Sequence, residues 1–344
     1  LKHFTFPAQN FVFADRSDTI AMHVQGHLPL RSRGAGAFVQ DSMSEPVFKS
    51  RIPQESLPHE VNPKRAFVSS ANQHSTFPSY PYFYRGYFDG FRGRTLDSLL
   101  RTNEQISFND METIQLSNFS MEAKEALPML ISQLSKTDHP NSENLSMLKE
   151  WDFNYRANSK AATLFSMWWN EFQNIVYQPL NLEKLPDSWR LIQLMEDHPL
   201  DTLFYLNSDS SIQGLPNITA QSFLAASKKY ENQERKSWFE YKSTAIPHLG
   251  KIDAFSTSIL NNGGTRNALN AVKRNHGPSW RMIVEMGDTI KARGIYPGGQ
   301  SGNPGSHFYE NFVSDWTEGR YHALEMPEID EWDERIIKWE IKAK

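Results

Sequence analysis

The sequence predicts an α+β fold in which a mainly helical region is inserted between two β-rich parts of one sheet system. Strand-like alternation near the amino end, helical spacing of apolar residues through the middle and renewed alternation toward the carboxyl end indicate this class. We therefore expect a β-rich part at residues 1–94, the helical region at 95–242 and returning strands at 243–344.

The first β-rich part begins with a predicted hairpin. The apolar run NFVFA is followed by a turn at Ser17-Asp18, after which Ile20, Met22 and Val24 occupy alternate positions, as in a half-buried strand. A second apolar stretch, RAFVSSAN, follows a proline-rich segment. The stretch FPSYPYFYRGYFDGF then has eight Phe or Tyr side chains among 15 residues, and its two prolines exclude a helix there.

The middle of the chain has apolar residues at helical spacing in several segments, some of them behind a Ser, Thr or Asn that can cap a helix. One apolar stripe consists of Met167, Trp168, Phe172, Ile175 and Val176. Such spacing is more often core packing than a cofactor site, so we interpret the stripe as core.

Two strands are predicted in the last third of the chain. Trp280, Met282, Val284 and Met286 occupy alternate positions in SWRMIVEMG, and RIIKWEIKA near the carboxyl end has the same period. No internal repeat accompanies them.

Composition excludes several classes of function. The 344 residues include 36 Lys and Arg against 40 Asp and Glu, without a concentrated basic block, which argues against a nucleic-acid partner. No apolar run approaches the roughly 18 residues of a membrane span. Cysteine is absent, so disulfides, thiolate metal sites and Cys nucleophiles are excluded.

The segment YPGGQSGNPGSHFY, residues 296–309, is rich in glycine and proline. It lacks the Lys-Ser/Thr of a phosphate-binding loop and the GxGxxG order of a dinucleotide site. Ser301 and His307 could form a catalytic dyad, although the spacing departs from a nucleophile elbow by one position. A structural loop beside a pocket is the favoured interpretation of such a composition.

The histidines do not predict a metal site. His23 and His27 have the spacing of two zinc ligands on a helix, but the surrounding alternation indicates a strand, in which four residues span roughly 13 Å. Two imidazoles that far apart cannot bind one ion.

The order of several fragments resembles the penicillin acylase (penicillin amidase) family of N-terminal-nucleophile hydrolases. The fragments are the hairpin sequence NFVFADRSDTIAMHVQGHLPLR, then NPKRAFVSSANQ, YFDGFRGRTLDSLL, HGPSWRMIVEMGD and finally the glycine-rich block with SDWTEGRY behind it. The resemblance covers about residues 10–321. It implies that the α+β fold is part of an αββα sandwich of antiparallel sheets with the helical region inserted.

The resemblance also implies two catalytic residues. Asn72, at the end of NPKRAFVSSAN, occupies the place of the asparagine whose amide belongs to the oxyanion hole. Arg94, 22 residues further on, matches the arginine that orients the catalytic surroundings. Residue 66 is Ala where the family motif usually has Gly. An oxyanion requires preorganised donors, so an amide held by a guanidinium suits the chemistry.

Aromatic density suggests a substrate pocket formed by Phe77, Tyr80, Tyr82 and Phe83, with ordinary core packing as the alternative. The family often holds a calcium ion, but Phe83 stands where a carboxylate ligand is expected, and Asp89 is the nearest substitute. The sequence therefore predicts no required cofactor and no metal site in this part of the protein, and a structural calcium ion in the full enzyme stays an open alternative.

The expected nucleophile is a Ser with a free α-amine, which Leu1 cannot supply. By resemblance, these residues are the carboxyl-terminal part of a catalytic chain, and the upstream remainder of the precursor is the expected partner. The fragment alone is then expected to be inactive, and the location is expected to be periplasmic or secreted. The alternative from a different class is a non-catalytic binding or scaffold protein that retains the fold.

Overall fold

The computed structural model of the chain describes residues 3–32, 34–36, 39, 50–84, 88, 90–103, 105–138, 142–207 and 209–325. The chain forms two compact units, Leu1–Pro278 and Ser279–Lys344. Each unit contains an antiparallel sheet of three strands, and the first also contains a large helical region. This arrangement confirms the α+β class.

The sheet of the first unit contains the predicted hairpin. Strand β1 (Gln9–Ala14) pairs with β2 (Ile20–Gln25), and β2 pairs with β3 (His59–Val61) in the order β1-β2-β3. The carboxylate of Asp15 closes the hairpin turn because it accepts hydrogen bonds from the backbone N–H groups of Ser17 and Thr19, at 2.8 and 3.1 Å. These bonds lower the pKa of Asp15.

Eight α-helices follow in the described residues of the first unit. They are α1 (Gly90–Thr102), α2 (Phe108–Gln115), α3 (Met121–Leu134), α4 (Glu143–Lys149), α5 (Lys160–Tyr177), α6 (Ser188–Asp197), α7 (Leu215–Asn232) and α8 (Trp238–Lys242). The four helices from α2 to α5 each begin after a serine whose side-chain oxygen accepts the N–H of the third helical residue. Each such cap stabilises its helix by about 1 kcal/mol.

The core of the helical region lies around α5, which packs against α7. The predicted stripe on α5 is core: Trp168 and Phe172 are fully buried, and Ile175 packs against the buried cluster. The indole N–H of Trp168 donates to the hydroxyl of Ser222 on α7 at 3.1 Å. This bond removes the cost of burying an unpaired donor, about 1–3 kcal/mol.

One helix start differs from the sequence prediction, and one apolar stretch is irregular. The first helix begins at Gly90 rather than at residue 95, because the buried side chain of Phe91 already belongs to the helical core. The stretch RAFVSSAN is not a strand. Ala66 and Asn72 adopt left-handed backbone conformations with φ of 60° and 66°, which interrupt an extended run.

The second unit contains strands β4 (Arg281–Met286), β5 (Ile290–Ile295) and β6 (His322–Ala323) in that order, and helix α9 (Val313–Glu318). The predicted strand in SWRMIVEMG is confirmed as β4. Its apolar residues Met282, Val284 and Met286 lie on the exposed face, whereas Ile283 is buried. The second predicted strand, RIIKWEIKA, lies outside the described residues.

The glycine-rich segment 296–309 folds back on itself in this unit. The backbone N–H of Ser301 donates to the carbonyl of Phe308 at 3.1 Å. A Cβ added to Gly299 would lie 2.1 Å from the same carbonyl oxygen, so only glycine fits there. Glycine at this position therefore allows two backbone segments to pack closely against each other.

Candidate functional site

Asn72 lies on an exposed loop of the first unit and has an oriented amide. Its Oδ1 accepts a hydrogen bond from a guanidinium N–H of Arg92 at 2.6 Å. Because a guanidinium has donors and no acceptor, the oxygen of the amide must face Arg92, and the nitrogen must face away. The Nδ2 group donates to no other described residue, so its N–H groups remain available.

The guanidinium that contacts the amide of Asn72 belongs to Arg92, whereas the sequence predicted Arg94 in this place. Arg94, the predicted partner, lies two residues further along α1, and its guanidinium forms a two-pronged ion pair with Glu125 of α3. At 3.6 residues per helical turn, side chains two positions apart point about 200° apart around the axis. Arg92 and Arg94 therefore point to different surroundings, and only geometry distinguishes the two arginines of the sequence GFRGR.

A glycine brings α1 close to the loop that carries Asn72. A Cβ added to Gly93 would lie 2.5 Å from the Cβ of Gln73, a distance that real Cβ atoms do not adopt. The side chain of Gln73 is fixed in turn, because its Nε2 donates to the Ser69 carbonyl at 2.8 Å. The small residue between the two arginines thus permits the contact between Arg92 and Asn72.

The four residues predicted to form a substrate pocket, Phe77, Tyr80, Tyr82 and Phe83, lie together. All four line an open groove of about 560 Å³. Phe77 is 69% exposed, so it is a surface residue of the described chain. Tyr80 is half-buried, and its hydroxyl donates to the carbonyl of Ser56 at 2.8 Å. Burial raises the pKa of Tyr80, so this donor stays protonated.

His74 is a residue at this site that the sequence did not single out. Its Nε2 contacts the carbonyl oxygen of Tyr84 at 3.1 Å, and its Nδ1 contacts the hydroxyl of Thr76 at 2.7 Å. The carbonyl can only accept, so Nε2 carries the proton and Nδ1 accepts. The ring also packs against Phe88 with centroids 4.3 Å apart. His74 thereby joins the loop of Asn72 to the aromatic stretch.

Two larger grooves adjoin this aromatic stretch, and Arg94 lines both. One, of about 860 Å³, has Trp189 and Glu125 on its wall. The other, of about 910 Å³, has Gln73 and His59. Such volumes are in the range of small-molecule sites in proteins.

Ser301 and His307 do not form a dyad in the described chain. The hydroxyl oxygen of Ser301 accepts the backbone N–H of Asn303 at 3.1 Å, as in a tight turn. The exposed ring of His307 packs against Phe308, with centroids 3.7 Å apart. The arrangement is that of a structural loop.

Among the described residues, no three His, Asp or Glu side chains are clustered so that they could hold a metal ion. Asp89, the nearest substitute for the calcium carboxylate, lies outside them. None of the helices in this part of the chain has the length and apolar character needed to cross a bilayer.

Comparisons with known proteins agree with the order of motifs. The sequence profile of penicillin amidase matches residues 1–330. The acyl-homoserine lactone acylase QuiP of Pseudomonas syringae pv. tomato is 25% identical over 92% of this chain and 44% of its own length. QuiP of Pseudomonas aeruginosa is 23% identical over 91% of this chain and 43% of its own length. The chain thus spans less than half the length of these relatives.

A solved structure supports the fold. A thermostable penicillin G acylase from Alcaligenes faecalis superposes with a TM-score of 0.68 over 97% of this chain and 68% of that chain, at 15% sequence identity. At this identity the likeness concerns the fold. Together with the profile match over nearly the whole sequence, it shows that the chain belongs to the penicillin amidase family.

Proposed function

We propose that this chain is the carboxyl-terminal part of the catalytic chain of an amidohydrolase that cleaves linear, non-peptide amide bonds. The substrate class comprises acyl side chains of β-lactams, acyl homoserine lactones and related amides. Family membership and the similarity to an acyl-homoserine lactone acylase and a penicillin G acylase support this reaction. The activity is that of a longer protein, in which upstream residues supply the nucleophile.

The oriented amide of Asn72 carries the proposal. With its oxygen bound by Arg92, the amide presents Nδ2–H as a fixed donor. A donor whose direction is set before the reaction stabilises the oxyanion of a tetrahedral intermediate without reorganising.

The reaction follows from this donor and the nucleophile that the family resemblance implies. The upstream Ser Oγ attacks the acyl carbon while its own α-amine, with a pKa near ~7.7, accepts the proton. Asn72 Nδ2–H donates to the oxyanion. Collapse of the intermediate expels the amine, to which the proton is transferred, and water then hydrolyses the acyl-enzyme.

The aromatic groove provides the proposed surface for the acyl group. Phe77, Tyr80, Tyr82 and Phe83 line a single open space, together with polar side chains such as those of His74 and Thr76. Small-molecule pockets combine aromatic walls with a few polar groups. Upstream residues of the precursor, together with this groove, would enclose the acyl chain. A periplasmic or secreted location is part of the same proposal and rests on the family resemblance.

Replacing Asn72 tests the proposal in the full-length, matured protein. The Asn72→Ala variant should lower kcat for phenylacetyl- and long-chain acyl-amide hydrolysis by about 10²–10³ with a small change in KM, as the loss of one oxyanion donor does. An Arg92→Met variant should lower kcat less, because the amide is retained but no longer oriented. The measurement is steady-state release of the amine, with Ser301→Ala as an activity control expected to match the wild type.

A matched variant separates the two arginines. Arg94→Met removes the same side-chain type two residues away on the same helix. If the loss of kcat occurs in Arg94→Met and not in Arg92→Met, the assignment made from the sequence is right and the one made from the geometry is wrong. Unchanged kcat in Asn72→Ala would remove Asn72 from the mechanism. No turnover of any acyl amide by the wild-type protein would favour the scaffold function.

A further inference from the structure

His23 and His59 form a pair on the sheet of the first unit. They are direct partners in the register of antiparallel strands β2 and β3, so their side chains project from the same face. The ring centroids lie 5.4 Å apart, and the ring planes differ by 17°. His59 is exposed and His23 is half-buried, so ions from solvent can reach the pair.

Both imidazoles have their tautomer fixed by the backbone. The Nδ1 of His23 lies 2.7 Å from the carbonyl oxygen of Val24, and the Nδ1 of His59 lies 2.7 Å from that of Leu57. Because a carbonyl oxygen only accepts, each Nδ1 carries a proton and donates it. Each neutral ring therefore keeps an Nε2 lone pair, and neither Nε2 bonds another described residue.

We propose that His23 and His59 bind one late first-row divalent metal ion through their Nε2 atoms. A histidine ligand usually donates its other ring N–H to a carboxylate, a carbonyl or water, and both of these histidines already do so. With metal–nitrogen distances of ~2.0–2.1 Å and tetrahedral angles, the centres of two such rings lie about 5 Å apart. The separation of the two rings fits this value, and metal binding requires rotations about χ1 and χ2 that bring both Nε2 atoms to one ion.

The site has two protein ligands, and its remaining positions are open. No third His, Asp or Glu in the described part of the chain completes a cluster around the pair. Water therefore fills the other positions, and binding is weaker than in a structural zinc site with four protein ligands. Imidazole ligands favour Zn²⁺, Co²⁺, Ni²⁺ or Cu²⁺ over Mg²⁺, which prefers oxygen ligands.

The pairing is across strands rather than along one. His27, which has the sequence spacing of a second ligand with His23, does not belong to the pair. Its Nε2 contacts the guanidinium of Arg51 at 3.1 Å. His59 also lines the groove of about 910 Å³ that includes Gln73 and Arg94. A bound cation would thus add positive charge at the edge of a groove next to the loop of Asn72.

Zinc titration of the purified full chain tests the site. Isothermal titration calorimetry should detect one Zn²⁺ per chain, and Mg²⁺ should produce no heat of binding. His59→Gln and His23→Gln should each weaken Zn²⁺ binding at least about tenfold, because even outer-shell changes typically cost 10–100-fold. The visible spectrum of bound Co²⁺ provides a second readout, since nitrogen ligands change its band positions and intensities.

Two controls exclude other histidines. His27→Gln changes an exposed histidine of the same sheet region, and His3→Gln changes another exposed histidine of the first unit. Both variants should bind Zn²⁺ like the wild type. Circular dichroism shows whether each variant is folded. If His23→Gln is unfolded, the Zn²⁺ affinity of the variant at the exposed His59 tests the proposal. Absence of Zn²⁺ binding by the wild type, or unchanged affinity in His59→Gln, would overturn the proposal.

Discussion

Lys242, the last residue of α8, provides a prediction about pH and stability. It is 8% exposed, and its Nζ donates to the carbonyl oxygens of Asn262, Gly263 and Gly264 at 3.1, 2.6 and 3.4 Å. No carboxylate of the described residues forms an ion pair with it. Burial lowers the pKa of Lys242 from its ordinary value of 10.5 to about 7. Replacing Lys242 by Met removes this titration and keeps a side chain of similar length.

The sign of the effect follows from proton binding. Between pH 7 and 10.5 the unfolded chain holds a proton on this lysine that the folded chain has lost, so the free energy of unfolding rises with pH in that window. Each pKa unit corresponds to ~1.36 kcal/mol, so the whole effect is about 5 kcal/mol, all of it a penalty below pH 7. Between about pH 7.5 and 9.5 the wild type should gain about 2 kcal/mol relative to Lys242→Met.

The assay is guanidinium chloride unfolding, followed by tryptophan fluorescence, at about pH 7.5 and 9.5. At each pH the free energy of unfolding of Lys242→Met is subtracted from that of the wild type, and the two differences are compared. The subtraction cancels the titration of groups that both proteins share. Lys228→Met is the matched control, because Lys228 is exposed on α7. An equally large change with pH in Lys228→Met would show that the effect does not depend on the burial of Lys242.

A difference between wild type and Lys242→Met that stays constant over this pH range would refute the reasoning. It would mean that the three carbonyl oxygens hold the ammonium strongly enough to offset the cost of its burial. A difference that falls as pH rises would mean that the folded state binds the proton more tightly than the unfolded state does.

Two further predictions concern backbone positions. Ala66→Gly should raise the free energy of unfolding by about 0.5 kcal/mol. Glycine removes the ~1–2 kcal/mol cost of a left-handed alanine, and this gain exceeds the ~0.4–1 kcal/mol cost of the greater conformational freedom of the unfolded chain. A lower melting temperature in this variant would show that Ala66 is not strained. Gly263→Ala should destabilise by roughly 1–3 kcal/mol, because the new Cβ would lie 2.7 Å from the Tyr155 carbonyl oxygen. A Cβ added to Gly302 would have no atom within 4 Å, so Gly302→Ala should change the free energy of unfolding by at most ~0.5 kcal/mol. Equal melting temperatures of Gly263→Ala and Gly302→Ala would disprove the clash at Gly263.

Much of the fold could be predicted from the sequence, because the signals are local. The alternation of apolar and polar residues predicted β2 and β4. Capping serines, together with apolar residues at helical spacing, predicted the helices. The sequence did not predict which residues adopt left-handed backbone conformations, or where two backbone segments approach closely. A left-handed Ala66 is invisible in a run of apolar residues, although the glycine usual in the family motif at this position was a signal for it.

The candidate site could be predicted in part. The order of motifs indicated Asn72, but the choice between Arg92 and Arg94 depends on where α1 begins and how it is rotated. Helix boundaries are the least reliable part of a sequence prediction. The His23–His59 pair depends on strand register between segments 36 residues apart in sequence, which alternation alone does not give.

The rotation of α1 has a consequence for protein engineering. One helix contacts the loop of Asn72 through Arg92 and the helical region through Arg94 and Glu125. Under the proposed function, a substitution on α3 alters turnover without touching a substrate, by changing the orientation of α1. Libraries that test the proposed acyl-amide activity should include positions on the Glu125 face of α3 as well as the groove walls.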